Sequence, residues 1–126
     1  MRLVGWDENP YEEFDDGAKF TRAEVKLAPG PDGLGPGTSQ SLMFYRPDGT
    51  ASLGSLMRVT GELDGKSGSF DLLGTGTYDS TSARVDGSVI ARSGTGDLVG
   101  ISGTAESVST QADYPHMPLK LTYDLE

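Results

Sequence analysis

Apolar and polar residues alternate with a period of two through most of this chain, the mark of strands with one face buried and the other in water. The last stretch shows it most plainly. Across residues 116–125, Met117, Leu119, Leu121, Tyr123 and Leu125 alternate with Pro118, Lys120, Thr122 and Asp124. Residues 18–27 set Thr21, Ala23, Val25 and Leu27 against Arg22, Glu24 and Lys26. Residues 50–63 place Leu53, Ser55, Met57 and Val59 on one face, and residues 81–91 do the same with Val85 and Val89. Residues 2–8 form a short first strand with Val4 and Trp6 on one face. Residues 66–77 form a further strand, and residues 97–108 another, bent at Gly100 and Gly103. Residues 39–46 differ: Leu42, Met43, Phe44 and Tyr45 are apolar on both faces, so one face must meet something other than water.

Turn chemistry separates these runs. Asn9-Pro10 ends the first strand, and an acidic loop follows over 11–17. Pro47-Asp48-Gly49 is a turn, Asp64-Gly65 reads as a type I′ hairpin, and further turns fall near Asp79-Ser80, at 92–96 and over 109–115. Residues 29–37 hold three prolines and four glycines, so they read as a flexible loop or as a lid over a cavity mouth. The result is eight strands and no helix in a single domain, residues 1–126. An eight-stranded meander loses its two exposed edges by closing into an antiparallel up-and-down barrel, whose lumen is filled by side chains or holds one small ligand.

Composition narrows the function. The net charge is −9 at a pI near 4.4, with no basic cluster, so nucleic acid is repelled. There is no cysteine, which removes disulfides, thiolate nucleophiles and thiolate metal sites. No apolar run reaches the ~20 residues of a membrane span, and no leader-like apolar core stands at the start. The expectation is a cytoplasmic protein that binds neither nucleic acid nor membrane. Gly94 to Gly100 has the spacing G-x-G-x-x-x-G with no helix after it and no Lys-Ser/Thr, so its glycines serve turns and barrel corners rather than phosphate. His116 is the one histidine and sits beside prolines, which argues against a triad. Glu12, Glu13, Asp15 and Asp16 lack EF-hand spacing. No metal site and no cofactor are expected.

Three segments carry a family resemblance. They are Gly61-x-Leu63-x-Gly65-x-x-Gly68-Ser69-Phe70, Ser93-Gly94-Thr95-Gly96-Asp97-Leu98-x-Gly100-Ile101-x-Gly103, and Leu121-x-Tyr123-Asp124-Leu125, with an opening Trp6-x-Glu8-x-x-Tyr11. Together they resemble a bacterial domain family of unknown function whose fold is the allene oxide cyclase-like barrel. The second segment is also similar to the corresponding strand of the plant cyclases. The resemblance covers nearly all of the chain outside 29–40 and implies a fold, with no established activity attached. Two positions depart from the family pattern: Met57 stands where an acidic residue is usual, and Leu53 where an aromatic is. Both share a face, so the resemblance implies a less polar cavity, suited to a larger apolar ligand.

The candidate site follows. Glu8 shares a face with Trp6, and in the plant cyclases a glutamate on the first strand reaches the cavity. A carboxylate against an aromatic wall has a raised pKa and can act as acid or base; the alternative is a rim carboxylate paired with Arg84 or Arg58. Tyr45, Tyr78 and Tyr123 can line the lumen or cap it, offering a phenol on an apolar ring. Arg58 can orient an anionic group or form a surface ion pair. Glu8 and Tyr123 are thus the candidate catalytic residues, and Trp6, Tyr45, Leu53, Met57, Arg58 and Tyr78 the candidate ligand-binding residues. The expected function is a cofactor-free barrel that binds an apolar small molecule. It either cyclises or isomerises that molecule by confinement, or carries it without chemistry, or serves as a structural module. The apolar third strand and Leu72-Leu73 point to a homo-oligomer.

Overall fold

The computed structural model describes residues 1–30, 34–79, 81–110, 113 and 117–125. Eight strands form one antiparallel sheet in sequential order. They are β1 (Arg2–Glu13), β2 (Lys19–Ala28), β3 (Leu34–Tyr45), β4 (Ala51–Leu63), β5 (Lys66–Tyr78), β6 (Ser82–Val89), β7 (Ser102–Thr110) and β8 (Lys120–Asp124). The expected type I′ hairpin is present: Leu63 pairs with Lys66 across Asp64 and Gly65, whose φ values are 52° and 79°. Among the described residues no helix is long and apolar enough to cross a membrane.

The sheet is not the closed barrel expected from the meander. Its order begins at β1 and ends at β8, which share no ladder. Among the described residues the two margins are hydrogen-bonded at one point, where the Met117 N–H donates to the Met1 carbonyl at 2.8 Å and the Met1 amine to the Met117 carbonyl at 3.4 Å. That contact lies outside β8, and Lys120–Asp124 has no described β1 residue opposite it. The sheet still curls strongly. Gly74 pairs with Gly87, and a Cβ at Gly87 would lie 2.7 Å from the Leu73 carbonyl oxygen. Glycine permits this close approach of β5 and β6.

Several boundaries differ from the sequence reading, each for a local reason. Pro10 does not end β1, because an edge strand tolerates a missing donor on its free side. A register shift between Leu3 and Gly5 reverses the facing of the first residues. Leu3 therefore packs on the core while Val4 is 58% exposed, so Val4 and Trp6 do not share a face. The expected loop at 29–37 is strand from Leu34 onward, with Leu34 paired to Gly61; residues 31–33 lie outside the described residues, as does His116.

The expected seventh strand begins at Ser102 rather than 97, and Gly96–Leu98 is a short 3-10 turn. This follows from hydrogen bonding. The β5–β6 ladder runs only from Leu72·Val89 to Tyr78·Ala83, leaving the first half of β5 without β6. Thr95 and Ser93 serve it instead. The Thr95 N–H donates to the Ser69 carbonyl at 2.8 Å, the Ser69 N–H to Thr95 Oγ1 at 3.0 Å, and the Asp71 N–H to Ser93 Oγ at 3.0 Å. Backbone groups at a sheet edge are thereby satisfied by side chains.

The concave face carries two apolar clusters. The larger, at what we call the Phe70 end, gathers Leu27, Leu34, Val59, Phe70, Leu98 and Ile101. The smaller, at the Tyr45 end, consists of Ala23, Met43 and Ala51 with Tyr45 and Leu53 against them.

Candidate functional site

Between the two clusters lies a cavity of about 150 Å³. Its cause is legible in the register. Glu8 pairs with Ala23, Ala23 with Ser41, Ser41 with Ser55, Ser55 with Gly74, Gly74 with Gly87, and Gly87 with Ala105. One rung across seven strands thus carries small side chains after its first residue. The rungs on either side carry larger groups, Val25, Met57 and Leu72 on one and Met43, Leu53 and Val85 on the other. All six line the cavity, so its wall is aliphatic above and below a narrow waist of hydroxyl, methyl and glycine.

Trp6, Leu53 and Met57 are wall residues. Trp6 is nonetheless 56% exposed, standing on the margin strand with one side toward solvent. Its indole Nε1–H donates to Glu8 Oε1 at 3.1 Å, and the Thr21 hydroxyl, itself buried, donates to Glu8 Oε2 at 2.7 Å. Glu8 is half-buried and held at both oxygens; it pairs with neither Arg84 nor Arg58, which are engaged elsewhere. Tyr45 lies near it. Burial pushes the Tyr45 phenol well above its ordinary value, and the Glu8 carboxylate beside it adds to the rise. Lys19 Nζ sits 5.2 Å from the centre of the Tyr45 ring.

The other candidates stand apart. Tyr78 is 38% exposed and meets Tyr45 edge to face at 6.4 Å, at the far side of the smaller cluster from the cavity. Arg58 is on the outer face, where its Nε and Nη2 donate to Asp71 at 2.7 and 2.8 Å in a two-pronged pair. Alternation alone requires this, since Met57 and Val59 face inward on either side of it. That pair holds the Asp71 carboxyl below its ordinary range. Tyr123 donates its hydroxyl to Asp64, whose carboxylate raises the phenol's pKa. It cannot act with Glu8. The Met1–Met117 contact lies between them, and from it β1 runs toward Glu8 while β8 runs the opposite way toward Tyr123.

The wall includes half-buried residues that sequence reasoning missed: Ser41, Ser107 and Ser109. Nothing in a single strand marks them, because serine on an inward position looks like a polar interruption until its neighbours are in register. Among the described residues no group of three or more His, Cys, Asp or Glu side chains is placed to hold a metal ion. Chemically, the site can enclose an apolar body and offer it hydroxyls, with one hydrogen-bonded carboxylate near its rim.

A solved structure of a protein of unknown function from Shewanella oneidensis MR-1, described as of the DUF3224 family, superposes with a TM-score of 0.70 at 21% identity, over 99% of this chain and 94% of that one. At that identity the likeness is one of fold. No curated protein matches. The family model described as Protein of unknown function (DUF3224) matches residues 2–123. With that span covering nearly all of its sheet, the chain belongs to the DUF3224 family.

Proposed function

We propose that the chain binds a small apolar molecule in the cavity on the concave face of its sheet. The observation that carries this is the cavity itself: space left open at the waist of an otherwise filled core, lined by Val25, Leu53, Met57 and Leu72. Cores are packed to crystal density, and an opening of this size forfeits contacts unless something occupies it. A cavity of ~150 Å³ with aliphatic walls admits a molecule about the size of benzene, whereas drug-sized pockets begin near ~300 Å³. The occupant is therefore compact, about one ring, rather than the larger ligand that the departures at Met57 and Leu53 implied.

The relationship to allene oxide cyclase-like barrels, and with it a cyclase or isomerase activity, belongs to this proposal as its second reading. What favours it is Glu8, held by Thr21 and Trp6 on the inner face of the first strand beside Tyr45. Acid–base chemistry would rest on that carboxylate, with confinement supplying the ordering of the substrate. Tyr123 has no part in it.

Trp6 is the one tryptophan, so its fluorescence reports the cavity. Titration with toluene should give a saturable change that a Ser55→Leu variant, which fills the waist, abolishes with its circular dichroism unchanged. A response that is linear in toluene, or is the same in the variant, overturns the proposal. Glu8→Gln should leave toluene binding intact; if a turnover assay finds a substrate, unchanged rates in this variant remove the acid–base reading.

A further inference from the structure

The cavity wall is apolar but not uniformly so, and the hydroxyls that line it among the described residues all come from serine. Five serines line it: Ser39, Ser41, Ser55, Ser107 and Ser109. Two of these satisfy each other, Ser39 Oγ lying 3.1 Å from Ser55 Oγ. The hydroxyls of Ser41, Ser107 and Ser109 make no hydrogen bond among the described residues. They are nonetheless not sealed off from contact, since no side-chain oxygen or nitrogen of the described residues is both fully buried and unpaired. Ser41 is on β3 and Ser107 and Ser109 on β7, four strands apart on a sheet curled enough for both strands to wall one space. Hydroxyls therefore face the cavity from two sides.

Among the described residues no charged group faces the same wall. Glu106 is the one ionisable residue in their part of the lining, and it sends its carboxylate to the outer face, 3.9 Å from Arg84 Nη2. Glu8, on the first residue of the waist rung, has both carboxylate oxygens already accepting hydrogen bonds. A charged ligand would lose its hydration with no counter-charge to replace it, whereas a neutral oxygen can be met by a serine hydroxyl acting as donor or acceptor.

We infer that the ligand is neutral and carries a single hydroxyl or carbonyl oxygen on a compact apolar body, that oxygen being bound by Ser41, Ser107 or Ser109. This rests on the binding proposed above and specifies its ligand class. It excludes carboxylates, amines and phosphates from the cavity. It also separates this site from a pure hydrocarbon cavity, in which the three serines would be unused.

Phenol and toluene test it, being of equal heavy-atom count and differing in one hydroxyl, with benzoate as the charged probe. Each is titrated into the unaltered chain and into Ser41→Ala, Ser107→Ala and Ser109→Ala, with Trp6 fluorescence as the readout. At least one variant should weaken phenol by about threefold to tenfold, the net worth of one hydrogen bond, while toluene stays within about twofold and benzoate shows no saturable binding. If toluene binds but no variant changes the phenol-to-toluene ratio, or if benzoate binds as well as phenol, the ligand class is wrong and cavity binding stands. If neither toluene nor phenol saturates, the cavity proposal falls and this inference with it.

Discussion

Leu98 tests whether the Ser93–Gly103 segment is a plug for the core or an ornament on its edge. Its side chain is 0% exposed although it sits in a single 3-10 turn, and it belongs to the larger apolar cluster. Leu98→Ala removes three carbon atoms, worth about 2.4 kcal/mol at ~0.8 kcal/mol per buried methylene. A cavity cost adds to this where the surroundings cannot collapse. Collapse is limited on one side, where backbone is packed close: a Cβ at Gly68 would lie 3.2 Å from Leu98 Cγ and 2.0 Å from the Thr95 carbonyl oxygen. The loss should fall near 3–4 kcal/mol, within the range of buried leucine truncations. For 126 residues the unfolding entropy is about 0.26 kcal/mol per kelvin, so the melting temperature should fall by roughly 12–15 °C. Val99, the next residue, is 64% exposed, and Val99→Ala should cost under about 0.5 kcal/mol. Thermal and urea unfolding followed by circular dichroism give both values. A Leu98→Ala loss below about 1 kcal/mol, or one equal to that of Val99→Ala, refutes the plug.

Further outcomes follow from the ionisable groups and the outer face. Asp71 is held below its ordinary carboxyl range by Arg58, so its contribution is present above the unfolded value near ~3.9 and is lost as pH falls through the folded one. The stability gap between the unaltered chain and Asp71→Asn should be constant from neutrality to about pH 5, begin to close below the unfolded value, and narrow in high salt; a gap that stays constant through the acid range contradicts this. Tyr45 is raised by burial and by Glu8, so the folded chain keeps its phenol proton where the unfolded chain has lost it. Stability should therefore decline as pH rises above about 10, and less steeply in Tyr45→Phe when melting is compared from pH 8 to 11. Leu42, Leu56 and Leu73 are each more than half exposed on the outer face, around Gly54, where a side chain would meet nothing. Leu56→Glu should therefore leave stability within about 0.5 kcal/mol of the unaltered chain, and a larger loss in urea unfolding contradicts the exposure of this face.

Much of the fold was open to reading from period two and turn chemistry, and its misses share one physical origin. Alternation and turn signals together pointed to eight strands, and Asp64-Gly65 gave its own hairpin turn the type. What alternation cannot show is the partner. Pro10 reads as a breaker until β1 is known to be an edge. Leu34 reads as loop among glycines and prolines until Gly61 is found opposite it. Residues 97–101 read as strand until Thr95 and Ser93 are seen occupying the backbone groups that β6 leaves free on β5. Closure of the sheet is the same kind of miss, since it depends on which β1 residue meets which residue near β8, and a meander pattern is silent on that register.

The site is a stronger case of that argument, because it is made of register and almost nothing else. Arg58 was available to parity alone: inward Met57 and Val59 leave it no place but the outer face. Trp6, Leu53 and Met57 were reachable because large apolar residues on inward positions must meet something. The waist was not reachable, because alanine, serine and glycine on separate strands carry no shared signal until the ladder sets Ala23, Ser41, Ser55, Gly74, Gly87 and Ala105 side by side. A filled core needs those positions to alternate large against small between facing strands; here they are small together, and the volume they omit is the cavity. It follows that the site is sensitive to register in a way a motif-borne site is not. A one-residue slip of β4 against β3 would carry Leu56 inward and Ser55 outward, close the waist, and leave every candidate residue present in the sequence with nothing to bind.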